Sequence, residues 1–372
     1  MDNAKIRILH IVGSLNVGGA ETMIVNIFRH IDRDRFDFSF LVNGSRGGYY
    51  EKAVQQLGGS VDYLPKRRQS LPDHYCELYR IIKRGRYHVI HFHTQNAFLT
   101  STQLIAARLA GAKCIAVHSH NTRDWRKQSL LLVHKLCRHY LYRHTDIRLA
   151  CSRAAAIWLF GTERNVEVFP LPIVCENFLF SESKYRNLRK DAQWEGKAVY
   201  AHVGRFSDVK NHKFLLEVFA QIKRLEKDSI LILAGDGELR EEIKNQIREL
   251  NLEKDVMLCG VVADVYNKLI MSDGFIFPSK YEGFPTSVLE AQAAGLPCYI
   301  SDTITPEIKI TDLVTMISLE ASAEDWAKTI VIDQKRERTN RALYNQIIAQ
   351  QYDIDAVTGR LMSLYKEAAE KI

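Results

Sequence analysis

The chain has 372 residues, of which 46% are hydrophobic and 26% are charged, a composition typical of folded globular proteins rather than disordered or fibrous ones. A single hydrophobic core stops growing at roughly 250–300 residues, so we expect two domains of similar size. No run of about 18 apolar residues is present, which excludes an integral membrane protein.

The cysteines and the N-terminus indicate where the protein acts. Seven scattered cysteines without a Cys-x-x-Cys pair favour reduced thiols and argue against a structural zinc. The N-terminus leads directly into an apolar, strand-like run and shows no export signal. We therefore predict a cytoplasmic location.

The net charge of +7 is shared unequally. Residues 1–190 contain 29 Lys and Arg against 15 Asp and Glu, whereas residues 191–372 contain 22 against 29. The basic half suits an anionic partner. Three kinds of partner fit: a nucleic acid, an acidic membrane surface or a phosphorylated small molecule. A solvated basic surface without a dedicated partner is the alternative. The basic clusters lie at residues 66–68, 83–86, 123–127 and 135–143.

Strands and helices are predicted to alternate along the first half of the chain. This alternation is typical of a mostly parallel sheet covered by helices on both faces. The predicted strands are 5–12, 37–42, 60–64, 88–92, 113–118 and 147–150, and the predicted helices are 20–30, 49–58, 75–85, 97–110 and 128–144.

The same alternation starts again after residue 190 and predicts a second doubly wound domain. Its predicted strands are 198–203, 229–234, 256–258, 274–277 and 297–300, and its predicted helices are 213–223, 239–250, 265–271 and 287–294. We place the domains at residues 1–185 and 190–352, with a polar linker at 181–196 and a last helix at 355–372 that packs back on the first domain. Open α/β sheets bind ligands at the carboxyl ends of their strands, so a ligand-binding cleft is expected between the two domains.

Two glycine loops lack the spacing of a dinucleotide-binding motif. Gly13, Gly18 and Gly19 do not fit Gly-x-Gly-x-x-Gly, and Gly235 and Gly237 are not followed by a third glycine. A dinucleotide-dependent dehydrogenase is therefore disfavoured. Gly18 and Gly19 precede a predicted helix, where bare N–H groups suit a phosphate or a sugar. The alternative is a tight turn that requires positive φ.

Two cations follow the first strand of the second domain. Arg205 and Lys210 lie between that strand and the next helix. A guanidinium and an ammonium group together would neutralise a diphosphate without a metal ion. The alternative is a pair of exposed loop cations.

Two carboxylates lie around the start of the helix at 287–294. Glu282 is in the preceding loop and Glu290 is eight residues later. Carboxylates accept hydrogen bonds from paired hydroxyls, so sugar or ribose hydroxyls are natural partners. The alternative for Glu290 is a capping box with Ser287, which leaves Glu282 unexplained.

The backbone around this helix start suits a phosphate, because N–H groups at a helix N-terminus lack intrahelical partners. Pro285 has no N–H to offer. The candidate donors are the N–H groups of Gly283, Phe284, Thr286 and Ser287.

These motifs, in this order, resemble those of the retaining glycosyltransferases of family 4, and the resemblance covers essentially the whole chain. The second-domain motifs are specific together. The segment at 117–121, taken with 204–206 and 210–212, is similar to the capsular- and exopolysaccharide branch of the family. The motifs are Gly-Gly-Ala-Glu at 18–21, Gly-Arg at 204–205 with Lys-Asn at 210–211, Gly-Asp-Gly at 235–237, Pro-Ser-x-x-Glu-Gly-Phe-Pro at 278–285, Leu-Glu-Ala at 289–291 and Gly-Leu-Pro at 295–297.

The resemblance implies the GT-B fold, an α/β architecture of two doubly wound Rossmann-like domains facing across a cleft. The nucleotide-sugar donor would bind mainly to the second domain and the acceptor mainly to the first. Arg205 and Lys210 would then bind the donor diphosphate and Glu290 the ribose hydroxyls. Glu282 would contact the transferred sugar, together with the backbone of 283–287, and Val262 would lie along the base.

The resemblance also assigns residues of the first domain. Gly19, next to Gly18, would approach the sugar or phosphate. The family's sugar-facing histidine falls on His118 or His120, and we favour His120. The predicted catalytic set is Arg205, Lys210, Glu282 and His120, and the acceptor or sugar side contains His93, His118, His120 and Asn121.

The implied reaction is a retaining front-face transfer that needs neither a protein nucleophile nor a metal ion. The Asp pairs at 32 and 34 and at 353 and 355 lie in polar turns. His91-x-His93 is expected to have no third ligand nearby, which favours an acceptor-side or core role for this pair. The expected partners are a nucleotide sugar, by default a UDP-sugar, a lipid-linked or polysaccharide acceptor, and an anionic membrane surface bound by the basic domain at the inner face of the plasma membrane. No nucleic acid is expected. A nucleotide-sugar 2-epimerase and a non-catalytic nucleotide-sugar-binding protein are the alternatives.

Overall fold

The computed structural model describes residues 5–16, 18–44, 46–94, 96–120, 131–334 and 341–371. The chain forms two compact units. The first contains Met1–Pro172 and Ile354–Ile372, and the second contains Ile173–Asp353. Among the described helices, none is long and apolar enough to cross a membrane.

The described part of the first unit is built around a seven-stranded parallel sheet of order β3-β2-β1-β4-β5-β6-β7. Its strands are β1 (Ile6–Val12), β2 (Phe36–Val42), β3 (Ser60–Tyr63), β4 (Val89–Thr94), β5 (Cys114–Ser119), β6 (Ile147–Ala150) and β7 (Glu167–Val168). Its helices are α1 (Gly19–His30), α2 (Glu51–Gln56), α3 (Leu71–Gly85), α4 (Ala97–Leu109), α5 (Leu131–His144) and α6 (Arg153–Phe160).

The described part of the second unit contains a six-stranded parallel sheet of order β10-β9-β8-β11-β12-β13. Its strands are β8 (Ala198–Val203), β9 (Ser229–Ala234), β10 (Val256–Gly260), β11 (Gly274–Phe277), β12 (Cys298–Ser301) and β13 (Val314–Ile317). Its helices are α7 (Glu182–Asp191), α8 (His212–Leu225), α9 (Arg240–Glu249), α10 (Val265–Ile270), α11 (Thr286–Ala293), α12 (Ala323–Gln334) and α13 (Arg341–Tyr352).

The central strands are covered on both faces. All residues of β9, β11 and β12 are buried, as expected for parallel strands with helices on each side of the sheet. The apolar runs of the sequence therefore predicted these strands well. The two doubly wound Rossmann-like sheets confirm the predicted α/β fold class.

The last helix, α14 (Ile354–Glu370), belongs to the first unit and packs against α1, β1 and β4. Its Tyr365 is fully buried and hydrogen-bonds to His91 of β4, with 2.6 Å between Oη and Nδ1. The chain thus returns to the first sheet after completing the second unit.

The structure differs from the sequence prediction at the linker. The polar segment at 181–196 contains α7, which Ser181 caps by accepting from the N–H of Lys184 at 3.3 Å. The chain divides instead after Pro172. Polar composition suggested a linker, but one charged side chain of α7 is buried in the second unit.

That side chain is Arg189, which is 4% exposed. It donates to the carbonyl oxygens of Met271 at 2.6 Å and Lys197 at 2.6 Å, and it forms an ion pair with Asp273. Asp273 also accepts from the N–H of Val199 at 2.8 Å. Arg189 therefore joins α7 to β8 and to the turn before β11.

We predict that Arg189→Ala destabilises the second unit by about 3–5 kcal/mol, because the partly exposed Asp273 loses its counter-charge and two backbone carbonyl groups lose their donor. Urea denaturation, with hydrogen exchange of the β8 amides, measures the loss. Arg186→Ala is the matched control on the same helix. Its ion pair with Glu182 is exposed, at 75% and 60%, so it should cost no more than about 1 kcal/mol. Equal losses in both variants would contradict the prediction.

Candidate functional site

The strand order of the second sheet reverses between β8 and β11. Successive strands run outward from β8 through β9 to β10 on one side, and from β11 through β12 to β13 on the other. The loops after β8 and β11 therefore leave in opposite directions and open a crevice at the carboxyl ends of the strands. Arg205 and Lys210 lie on the first of these loops and residues 282–285 on the second, whereas Thr286, Ser287 and Glu290 lie on the helix that follows.

An ion pair joins the two loops. Nζ of Lys210, in the loop after β8, lies 2.6 Å from Oε1 of Glu282, in the loop after β11. The two side chains are only 17% and 18% exposed. The Lys210 ammonium also lies 4.5 Å from the ring centre of Phe277, the last residue of β11. The structure thus brings together one predicted cation and one predicted carboxylate.

Further contacts fix the positions of the two loops relative to each other. Lys280 donates from its N–H to the carbonyl oxygen of Val209 at 2.8 Å, and its Nζ lies 2.6 Å from Oδ1 of Asp208. Asn211, which has a left-handed φ of 55°, donates its side-chain amide to the carbonyl oxygen of Pro278 at 3.2 Å. The backbone on either side of the Lys210–Glu282 pair is therefore held by the contacts of Lys280 and Asn211.

Two glycines let a third loop approach this site. Gly235 has a φ of +143°, and a Cβ there would lie 2.0 Å from the carbonyl oxygen of Gly204. A Cβ at Gly237 would lie 2.4 Å from the carbonyl oxygen of Phe206. The Gly-Asp-Gly motif is therefore explained by close backbone packing against the loop after β8.

Arg205 lies apart from the Lys210–Glu282 pair. Its guanidinium contacts Glu238, with 3.2 Å from Nε and 3.1 Å from Nη2 to Oε2, and its side chain is 69% exposed. A surface ion pair of this kind is weak, so the guanidinium can exchange this partner for a ligand at low cost.

Glu290 lies on α11 without a capping role. The helix begins at Thr286 after Pro285, and no side chain caps it. The alternative of a Ser287–Glu290 capping box is therefore wrong. Burial raises the pKa of Glu290 to about 8, because the charged carboxylate is poorly solvated there.

The backbone beside Glu290 is closely packed. Gly283, Phe284 and Ser287 are buried, and the Phe284 ring stacks on Tyr352 with 5.7 Å between ring centres. The first N–H groups of α11 remain available to a ligand, as at any uncapped helix start. Val262, predicted to lie along the base, is partly buried in the loop after β10. Gly260, the last residue of β10, accepts from the N–H of Gly235 through its carbonyl oxygen at 2.8 Å.

The first unit places Gly18 and Gly19 at the start of α1. Gly18 has an extended backbone with a φ of −165°, and neither glycine has positive φ. The alternative of a turn that needs positive φ is therefore wrong. A Cβ at Gly18 would instead lie 2.5 Å from Oε2 of Glu21.

Five imidazoles lie together in the first unit, and we call them the histidine row: His10 on β1, His91 and His93 on β4, His118 on β5, and His120 just after β5. The strand register places His10 opposite His91 and His93 opposite His118. Because alternate residues of a strand share one face, the row occupies one face of the sheet. Asn121, predicted on the same side, lies outside the described residues.

Hydrogen bonds run along the histidine row. Nδ1 of His10 lies 3.0 Å from Nε2 of His93, and Nδ1 of His93 lies 3.1 Å from Nε2 of His120. His118 is 1% exposed and meets the Phe169 ring edge-on at 5.7 Å. His118 is therefore a core residue, whereas His120 is partly exposed as a residue, although its Nδ1 atom is buried.

The imidazoles of the histidine row are neutral. Burial lowers the pKa of each of them, and that of His120 falls to about 3. The cause is desolvation of the charged form. At pH 7 each ring therefore carries a single N–H.

The sequence expectation that His91-x-His93 has no third ligand nearby is wrong. One nitrogen each of His10, His91 and His93 lies within 4.8 Å of the others, and so does one nitrogen each of His93, His118 and His120. The strand register supplies the third imidazole, which spacing along the chain does not reveal. Three imidazoles can bind zinc. Among the described residues no carboxylate or thiolate joins either group, so a bound divalent charge would be buried without an anionic ligand.

Comparisons with known proteins agree with this architecture. Residues 184–346 match the family described as glycosyl transferases group 1, and residues 17–176 match glycosyltransferase family 4. EpsF of Bacillus subtilis (strain 168), which carries the name of a glycosyltransferase, is 34% identical over 391 residues, covering 100% of this chain and 99% of EpsF. An Escherichia coli UDP-Gal:α-D-GlcNAc-diphosphoundecaprenol α-1,3-galactosyltransferase is 28% identical, covering 81% of this chain and 80% of that enzyme.

A solved structure shares the fold. The crystal structure of Anabaena HepE in complex with UDP-glucose has a TM-score of 0.78 and 20% identity, covering 97% of this chain and 99% of HepE. The predicted membership and the GT-B fold class are therefore confirmed. The protein belongs to the family 4 glycosyltransferases, among relatives of exopolysaccharide and capsule biosynthesis.

Proposed function

We propose that this protein transfers a hexose or N-acetylhexosamine from a UDP-sugar to a lipid-linked or polysaccharide acceptor, with retention of the anomeric configuration. The observation that carries the proposal is the Lys210–Glu282 pair at the strand-order reversal of the second sheet. A UDP complex of Anabaena HepE and the UDP-Gal-dependent E. coli relative support the choice of donor.

The reaction needs a developing diphosphate charge to be stabilised as the sugar leaves. Lys210 supplies a preorganised ammonium, and Arg205 supplies a guanidinium once it leaves Glu238. One preorganised contact of this kind typically contributes about 3 kcal/mol, or roughly 10²–10³ in rate. Glu282 holds Lys210 and accepts from hydroxyls of the transferred sugar, and His120 is the sugar-contacting residue of the first unit. This division of roles requires no divalent metal.

The acceptor side of the proposal rests on the basic first unit. A cavity of about 240 Å³ lies at the carboxyl ends of β2 and β3. Among the described residues, Lys66, Arg67 and Arg68 form no salt bridge, and Nε of Arg67 is buried without a hydrogen-bond partner. Such a cavity suits the phosphate groups of a lipid-diphosphate acceptor. The lining residues are Asn43, Gly44, Lys66, Arg67, Arg68, His74 and Leu99.

The same unit has a surface suited to a membrane. On α5, Leu132 is 70% exposed and Leu136 is 64% exposed, and both lie on one side of the helix because they are four residues apart. Lys135 and Arg143 are exposed on the same helix. Exposed apolar residues beside cations are typical of helices that bind at the surface of anionic membranes.

We predict that Lys210→Met lowers the turnover number about 10²–10³-fold, because the departing diphosphate loses a preorganised cation. The assay follows UDP release and product anomer by NMR, using UDP-sugars, a lipid-diphosphate acceptor and EDTA. Arg224→Ala, an exposed cation on α8, is the control and should retain full rate. Full activity of Lys210→Met would refute the role of Lys210.

The same assay separates the alternatives. Transfer with retained anomeric configuration in EDTA supports the proposal. Donor consumption without acceptor, accompanied by inversion at the sugar C2, would indicate a 2-epimerase. Donor binding without any turnover would indicate a non-catalytic binding protein.

We predict that UDP affinity rises with pH up to about 8. Ribose hydroxyls donate to a carboxylate, so the protonated Glu290 must lose its proton when UDP binds. Below a pKa of about 8 this deprotonation costs affinity, roughly tenfold for each pH unit. Calorimetric titrations at pH 6.5, 7.5 and 8.5 measure the slope. In Glu290→Gln the phosphate of UDP titrates as it does with the wild type, so only the contribution of Glu290 to the pH dependence of UDP affinity should be lost. Identical slopes in both proteins would exclude Glu290 as the ribose ligand.

We predict that Leu136→Glu weakens binding to vesicles containing phosphatidylglycerol, because it replaces an exposed apolar contact with a charge that the anionic surface repels. Flotation of the purified protein with such vesicles measures the bound fraction. Ile332→Glu, at a 65% exposed position of the second unit, is the matched control. Binding should also fall as salt rises. Binding that is insensitive to both Leu136→Glu and salt would refute the assignment.

A further inference from the structure

Three members of the histidine row form one continuous hydrogen-bonded chain. The chain runs from His10 through His93 to His120, with N···N distances of 3.0 and 3.1 Å. His93 uses both of its nitrogens in this chain, one toward each neighbour. His91 lies beside the chain and bonds instead to Tyr365.

We propose that His10 and His93 are positioning residues that hold the single proton of His120 on Nδ1, so that His120 offers an N–H donor to a hydroxyl of the substrate sugar. The sugar contact rests on the proposed function. The proton arrangement of the chain does not.

A chain of three neutral imidazoles has only two self-consistent proton arrangements. Each ring carries one N–H and one lone pair, and each link needs one of each. If one ring carries its proton on Nε2, all three do, and if one carries it on Nδ1, all three do. The two ends of the chain are therefore coupled, although His10 lies deep in the sheet.

The ends of the chain decide between the two arrangements. At the inner end, Nε2 of His10 has no hydrogen-bond partner in the described part of the chain, and His10 is 0% exposed. The Phe38 and Phe40 rings lie 4.3 and 5.5 Å from its ring centre and offer no conventional acceptor. If the protons were on Nε2, His10 would have a buried N–H without an acceptor at this inner end. Buried N–H groups without an acceptor are rarer than unsatisfied acceptors.

Protons on Nδ1 place the free N–H at the outer end instead. Nδ1 of His120 is itself buried and has no partner among the described residues, but His120 as a residue is partly exposed just after β5, whereas His10 is 0% exposed. The carboxyl ends of parallel strands are where open α/β sheets bind ligands. A buried polar atom without a partner requires one, and a substrate hydroxyl oxygen accepts a hydrogen bond.

The experiment determines which nitrogen carries each proton. The full-length, unliganded protein is labelled with ¹⁵N-histidine, and long-range ¹H–¹⁵N spectra at pH 7.5 assign the protonated nitrogen of His120. The expected wild-type result is a single Nδ1–H form of His120. An Nε2–H form of His120 in the wild type overturns the proposal. This spectrum needs no substrate, so it is decisive even if no sugar transfer is found.

Substitutions test the coupling. His10→Phe and His93→Phe remove a link, so the His120 signals should move toward the average of the two forms. His91→Phe is the matched control, since it is equally buried and lies outside the chain, and it should leave the Nδ1–H form unchanged. A His120 spectrum that is the same in His10→Phe as in the wild type refutes the coupling.

Two further measurements complete the test. Metal analysis of the purified wild-type protein should show less than about 0.1 zinc per chain, and stoichiometric zinc would overturn the hydrogen-bonded chain.

With a UDP-sugar donor, His10→Phe should lower kcat/KM about 2–10-fold, as expected for one hydrogen bond, while UDP affinity stays unchanged. An unchanged kcat/KM would refute the positioning role.

Discussion

Both sheets consist of parallel strand pairs, and this pairing places the candidate functional side chains. In both sheets every paired strand runs in the same direction as its neighbour, so all the loops that follow strands emerge at one edge. The strand order reverses once in each sheet, between β1 and β4 in the first and between β8 and β11 in the second. Residues far apart in sequence, such as Lys210 and Glu282, therefore meet where a ligand has room to bind.

The electrostatic properties of the candidate site follow from burial at this edge. Lys210 and Glu282 are largely shielded from water and compensate each other. Glu290 has no such partner among the described residues, and its pKa rises to about 8. Arg205 is exposed and holds only a weak surface partner. The site thus contains one shielded cation, one exposed cation and one carboxyl group that favours its neutral form.

The histidine row of the first unit has different electrostatic properties. It carries five imidazoles on one sheet face, and desolvation keeps them neutral. Neutral imidazoles can both donate and accept, so His10, His93 and His120 can hydrogen-bond to one another without any ion. Tyr365 of the last helix completes this arrangement by bonding to His91, which links the end of the chain to the first sheet.

Much of the fold could be predicted from the sequence, because buried parallel strands are continuous apolar runs and their helices have clear periodicity. The runs at 198–203 and 229–234 coincide with β8 and β9. The missed elements are β7, β13, α6, α7, α12 and α13. β7 has only two residues, and the polar sequence of α7 does not show that its Arg189 is buried among backbone carbonyls. Composition records the charge of such a residue but not its burial.

The sequence alone predicted most of the strands and helices, the family motifs and the positions of Arg205, Lys210, Glu282 and Glu290 after particular strands. The folded structure was needed to show which of these side chains meet. It paired Lys210 with Glu282 and Arg205 with Glu238, it left Glu290 free of the capping box, and it brought His10 to His93 across two strands. The physical reason is that local patterns encode secondary structure, whereas side-chain partners depend on strand register and burial, which arise only when distant segments pack together.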